Sequence, residues 1–252
     1  FAGMHNNLGN VYRELGELDA ALKSYKKAIA IKPDFVEAFF NQGITFQAQN
    51  QLDSAVKSYE EVISIKPDYA EAHNNLGTIF AELKQFKNAE ETFKQAILLN
   101  PKYAGAHYNL GNTLKDLRKI YEAEESFRKA IVINPNYTEA HNNLGNIMKS
   151  HDRLEDAEAS YRKAIAINPD YAEAHNNLGN IMKSHDRLED AEASYRKAIA
   201  IKPDYAPAYL GLRSIACLKV SSAFSNCLSS KKIVPKLLWA SAEFGLIDIT
   251  SS

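Results

Sequence analysis

Apolar and polar residues follow one another along this chain in a pattern that returns every 34 positions. In residues 70–103, with Ala70 as position 1, His73, Leu76, Gly77 and Phe80 occupy positions 4, 7, 8 and 11. Steps of three, one and three place them on one face of a helix. Ala89, Phe93 and Ala96 at positions 20, 24 and 27 mark a second helix with its own apolar stripe. Lys84 and Gln85 fall between the two stripes and predict a short polar turn. Pro101 at position 32 ends the second helix, because proline has no N–H and restricts the residue before it. The pattern therefore predicts a pair of antiparallel helices, each of about 14 residues and about 21 Å.

The register holds six times. Prolines stand at Pro33, Pro67, Pro101, Pro135, Pro169 and Pro203, and glycines at Gly9, Gly43, Gly77, Gly111, Gly145 and Gly179. Position 20 is always alanine and position 24 always tyrosine or phenylalanine. The small residues leave room for close helix approach, and Leu76, Phe80, Phe93 and Leu99 fill the space beside them. A strict period of this length predicts stacked units that bury their apolar faces on one another, without one central core. The units are 2–35, 36–69, 70–103, 104–137, 138–171 and 172–205. The last two differ only at Thr138/Ala172 and Asn168/Lys202, as a recent duplication would leave them.

The order Leu-Gly, aromatic, Ala, aromatic, Ala and Pro at these offsets resembles the tetratricopeptide repeat over about residues 2–205. The resemblance implies an all-α, right-handed superhelical solenoid of six helix-turn-helix repeats followed by a divergent C-terminal tail. One departure recurs. The family's position-4 tryptophan is replaced by His5, Phe39, His73, His107, His141 and His175.

Asparagine fills position 6 in every repeat: Asn7, Asn41, Asn75, Asn109, Asn143 and Asn177. The position lies at the edge of the first helix's buried stripe, where packing alone favours no particular polar residue. An amide offers donors and an acceptor, so it can pair with any peptide backbone. Helices about 8–10 Å apart would space the amides by about three residues of extended chain at roughly 3.3 Å each. Position 9 adds Asn10, Asn112, Asn146 and Asn180, and Ile44 and Thr78 break that series. The repeats of protein O-linked N-acetylglucosamine transferases look similar, with an asparagine ladder at this offset that holds substrate peptides by their main chain. The resemblance implies that these ten asparagines bind an extended peptide or protein segment in a groove lined by the first helices. The competing reading is that position 6 merely bonds to an adjacent helix.

Other chemistry finds less support. The expected protein is a non-catalytic scaffold with no cofactor. The alternative is the recognition arm of a larger transferase whose catalytic domain lies elsewhere. Position 2 is glycine or glutamate, so the basic clamp that other tetratricopeptide proteins use on C-terminal carboxylates is missing. The position-4 histidines come one per unit, too far apart to share a metal, and are expected to pack in the core. Glutamate pairs on the second helices read as solvated outer faces. The formal net charge is −1, with no basic stripe of the kind nucleic acid requires. Cys217 and Cys227 form neither a disulfide framework nor a zinc motif, which points to a reduced, cytoplasmic setting. Phe1 rather than Met opens the chain, and the natural N-terminus is expected upstream.

The remainder, 206–252, carries five basic and two acidic residues. Residues 206–220 begin like a first helix, with Tyr209 at position 4, and are expected to cap the stack. Gly211 there replaces the ladder asparagine. The serine-rich stretch 221–230 reads as a loop. Residues 231–247, with Trp239, are expected to dock on the last repeat or to begin a truncated domain, and membrane contact is disfavoured. Stacking of exposed ends between molecules is a third functional class.

Overall fold

In the computed structural model, which describes the backbone of residues 1–229 and the side chains of residues 1–221, the repeats form helix pairs as the pattern predicts. The first helices are α1 (Ala2–Glu14), α3 (Val36–Ala48), α5 (Ala70–Glu82), α7 (Ala104–Asp116), α9 (Thr138–Ser150) and α11 (Ala172–Ser184). The second helices are α2 (Leu18–Ile31), α4 (Leu52–Ile65), α6 (Phe86–Leu99), α8 (Ile120–Ile133), α10 (Leu154–Ile167) and α12 (Leu188–Ile201). A last helix, α13, spans Ala206–Ser229. Its length corrects the expected loop at 221–230. Serine costs only about 0.5 kcal/mol relative to alanine in a helix, and no proline or glycine interrupts the chain between Leu212 and Ser229. The docking expected of residues 231–247 lies outside the described residues.

The chain divides into two compact units, 1–152 and 153–252, so the division falls in the turn of the fifth repeat. The first holds α1–α9. The second holds α10–α12 and α13.

Within the first four repeats, and within the sixth, the paired helices meet glycine against ring. An added Cβ at Gly77 would stand 2.8 Å from Phe93 Cε1, and at Gly111 2.7 Å from Phe127 Cε1. The position-24 rings, Tyr25, Tyr59, Phe93, Phe127, Tyr161 and Tyr195, are all fully buried or nearly so. Between repeats a different stripe is at work. Ala72, Leu76 and Ile79 of α5 pack on Ala55, Tyr59 and Val62 of α4 in the repeat before. Positions 3 and 10 are thus core positions, while Phe80 and Leu99 are only half-buried. Alanine at position 3, fully buried in Ala38, Ala72, Ala106, Ala140, Ala174 and Ala208, sets how closely one repeat approaches the next.

The turn between paired helices has one conformation throughout. Position 15 takes a left-handed backbone at Gly16, Asn50, Lys84, Arg118, Asp152 and Asp186, with φ of 59° at Lys84. Lys84 N–H donates to Ala81 O and Gln85 N–H to Phe80 O, which satisfies carbonyls that the helix end would otherwise leave open. Only Gly16 adopts this backbone without a Cβ penalty.

Candidate functional site: a row of amides on the first helices

Position 6 lies beside the stripe that faces the preceding repeat, so its side chain reaches toward that neighbour. Asn41, Asn75, Asn109 and Asn143 are half-buried on α3, α5, α7 and α9, and Asn7 on α1 is exposed. Asn177 is half-buried on α11 in the second unit.

Their first hydrogen bonds are internal. Asn41 Nδ2 donates to Asn6 Oδ1 at 3.1 Å, and Asn109 Nδ2 to Asn74 Oδ1 at 3.1 Å. Asn75 Nδ2 donates to the Tyr59 hydroxyl at 3.3 Å. Asn143 Nδ2 donates to Asn112 Oδ1 at 2.8 Å and to the Tyr108 hydroxyl at 3.3 Å. Arg13 Nη1 donates to Asn41 Oδ1 at 3.4 Å, and Asn74 Nδ2 to Asn75 Oδ1 at 3.3 Å. The bond to an adjacent helix that the competing reading required is therefore present. It does not exhaust the group. An amide carries two N–H donors and two acceptor lone pairs, so on Asn41, Asn75 and Asn109 these contacts use one N–H each.

Position 9 has a structural task as well. Asn10 Oδ1 accepts from the Tyr25 hydroxyl at 2.8 Å, and Asn180 Oδ1 from the Tyr195 hydroxyl at 2.7 Å. Asn10, Asn112, Asn146 and Asn180 are each half-buried. Burial pushes the Tyr195 phenol up to about 12 and the Tyr59 phenol further, which keeps both hydroxyls protonated at neutral pH. Tyr59 donates to Gln47 Oε1 at 2.7 Å while it accepts from Asn75.

Position 5 is what sequence reasoning missed. Asn6, Asn74, Asn142 and Asn176 are nearly or fully buried, and Asn6 and Asn74 seat the ladder amides of the next repeat. The signal was available as the doublet Asn74–Asn75, repeated at 142–143 and 176–177. Where position 5 is aromatic its ring packs on the tyrosine that ends the repeat, and Tyr108 still accepts from Asn143. Tyr108 lies 4.8 Å from Tyr137 and Phe40 lies 5.0 Å from Tyr69, between ring centroids. Gly211 of α13 leaves Asn176 Oδ1 with no position-6 amide to serve it, and that oxygen has no hydrogen-bond partner.

The position-4 histidines hold the interhelix loops. Nε2 of His73, His107, His141 and His175 meets the carbonyl of Pro67, Pro101, Pro135 and Pro169 at 2.9–3.1 Å. Tyr209 donates to Pro203 O in the same way at 3.0 Å. Burial holds the His107 imidazole below its usual range, against the opposing pull of the Pro101 carbonyl. On the second-helix side, Glu90 is buried between Lys94 and Lys119, each 2.7 Å away. Burial alone would push its carboxyl up, but the two ammonium groups outweigh this and hold it below the usual range.

With this geometry in view, comparison with known proteins is decisive at the level of family. The description "TPR repeat" matches residues 9–50, 45–84 and 149–186, and "Tetratricopeptide repeat" matches 70–103, 104–137, 126–159 and 172–205. The chain belongs to the tetratricopeptide repeat family. No curated protein sequence matches it. Among solved structures, this tetratricopeptide chain is similar to PilF of Pseudomonas aeruginosa, with a TM-score of 0.74 and 19% identity over 86% of this chain and 96% of that one. PilW, described as a type IV pilus biogenesis factor, gives 0.72 and 21% over 85% and 98%. YrrB, described as a TPR protein with an unusual peptide-binding site, gives 0.61 and 23% over 75% and 97%. At these identities the likeness extends to the fold. Among the described residues no helix is long and apolar enough to cross a membrane.

Proposed function

We propose that this tetratricopeptide chain is a scaffold that holds an extended peptide or protein segment by its main chain, through the asparagines of the first helices. The observation that carries the reading is the pairing of the ladder. Asn41, Asn75, Asn109 and Asn143 are each oriented by the preceding repeat, so their side-chain entropy is already reduced before a partner arrives. Asn41, Asn75 and Asn109 have a second N–H to offer a peptide carbonyl, Asn7 and Asn143 continue the series in the first unit, and Asn177 holds the same repeat position in the second. Asn10, Asn112 and Asn146 lie beside them in the first unit, and Asn180 lies beside Asn177 in the second. A preorganised amide recognises backbone polar groups regardless of side chain, which suits a scaffold for extended segments. YrrB is described as having a peptide-binding site, which is consistent with this use of the fold. No observation favours the alternative of a transferase's recognition arm, and it is not carried further.

The test is capture from a random peptide library by the 252-residue chain and by a variant with Asn41, Asn75 and Asn109 replaced by alanine. The reading expects at least a tenfold loss of capture, about 0.5–1.5 kcal/mol per hydrogen bond, with helical content retained. Equal capture by the two proteins would refute it.

A further inference from the structure

The first helices carry a second surface, on the side away from the ladder. Positions 4 and 6 stand about 200° apart around a helix of 3.6 residues per turn, so His107 and Asn109 point away from each other across α7. His107 lines a trough between α6 and α8, in two adjoining sections of ≈ 360 and ≈ 480 Å³. In the second unit His175 lines a trough of ≈ 410 Å³ between α10 and α12. The same repeat positions build both: isoleucine at 28 (Ile97 and Ile165), a cation at 25 (Lys94 and Arg162) and lysine at 26 (Lys129 and Lys197). These volumes lie in the range of small-molecule sites.

The histidine calls for a hydrogen-bond donor. The Pro101 and Pro169 carbonyls can only accept, so Nε2 carries the proton of each neutral ring and Nδ1 keeps a bare lone pair. Among the described residues no group donates to either Nδ1. Burial, aided by the charge of Lys129, holds His107 below its usual range, so that ring is neutral at pH 7. The rim calls for an anion. Arg162 and Lys197 line the second trough with no carboxylate beside them there, and Lys197 has no ion-pair partner among the described residues. At the first, Lys94, Lys119, Arg128 and Lys129 outnumber Glu90, Glu122 and Glu125, in a chain whose formal net charge is −1. Lys129 pairs with Glu125 at 2.7 Å, but both are more than half exposed, and a pair so placed exchanges readily. The space calls for a ring. Histidine stands where the family pattern has tryptophan, which withdraws about four side-chain heavy atoms and leaves room for a ring brought by a ligand.

We infer that the troughs at His107 and His175 bind small hydroxyaryl carboxylic acids. The ring lies against Ile97 or Ile165, its hydroxyl donates to the histidine Nδ1, and its carboxylate pairs with Lys129 or Lys197. The asparagine ladder takes no part, so this inference is independent of peptide capture.

The test is a titration of the full chain, labelled with ¹⁵N-histidine, with 3-(4-hydroxyphenyl)propionate. The Nδ1 signals of His107 and His175 should shift and saturate, with Kd at or below about 1 mM for a ligand of this size. 3-Phenylpropionate, which lacks the hydroxyl, should bind about threefold to tenfold more weakly. Tyramine, which carries an ammonium in place of the carboxylate, should produce no shift. His107→Trp restores the family's residue and fills the first trough, so it should leave the His175 signal alone responding. Lys129→Glu with Lys197→Glu, at exposed positions, keeps both histidines and should abolish the response without loss of helical content. Shifts at neither Nδ1 up to about 10 mM, tyramine binding as tightly as the acid, or a response unchanged in the double lysine variant would each overturn the inference. A shift at one histidine only would overturn it for the other trough.

Discussion

Replacing Gly77 by alanine tests how the repeat is built. The added Cβ would stand 2.8 Å from Phe93 Cε1, 2.9 Å from Cδ1 and 3.1 Å from Cζ. Carbon atoms in contact prefer about 3.5–4.0 Å, so the ring would have to retreat by roughly 0.7 Å. It has little room to do so, because Phe93 is 1% exposed and Ala89 and Ala96 beside it are fully buried. Overpacking of this kind costs about 1–3 kcal/mol. The gain from replacing glycine with alanine inside a helix offsets about 1 kcal/mol. The expected net effect is a loss of about 1 kcal/mol, read as a lower midpoint in urea unfolding followed by circular dichroism. Phe93→Leu should then rescue part of the loss, with a coupling of about 1 kcal/mol in the double-mutant cycle. The reasoning fails if Gly77→Ala stabilises the protein by the full propensity gain, or if the two substitutions are additive.

Three further outcomes follow from the same contacts. His73→Phe keeps the ring and removes the Nε2 bond to Pro67 O, and should cost about 1 kcal/mol in thermal unfolding. Lys84→Gly relieves a left-handed residue and should raise the unfolding midpoint by up to about 1 kcal/mol, measured in the same way. Acid should destabilise the first unit in two stages. His107 is held below its ordinary value of 6.5, so the stability it contributes is present above that pH and is lost as pH falls through its folded value. Glu90 is held below 4.5, so its contribution is lost at still lower pH, and Glu90→Gln should remove the second stage from a stability–pH profile.

Much of the architecture could be read before any coordinates. Gly77, Ala89, Phe93, Ala96 and Pro101 recur at fixed offsets because each has one steric task that few residues can perform. Ala72 and Ile79 escaped notice because alanine is as common on helix surfaces as in cores, and its task appears only once the preceding repeat is in place. The histidine slot was read as packing, and packing is half of it. The bond from His107 to Pro101 O depends on how the loop turns back over the helix, which no spacing reveals. Asparagine at position 6 was visible in the sequence, but its partner at position 5 belongs to the neighbouring repeat, as Asn109 and Asn74 show. The serine stretch misled because composition favoured a loop while nothing in it breaks a helix.

The central claim is that the amides grip a main chain and not particular side chains. It is tested most directly by taking a captured peptide and replacing its backbone amides by esters, one at a time, alongside an alanine scan of its side chains. The account predicts affinity losses of about 0.5–1.5 kcal/mol at regularly spaced ester positions, with small effects from alanine. A flat ester scan, with the losses confined to one or two side chains, would contradict it.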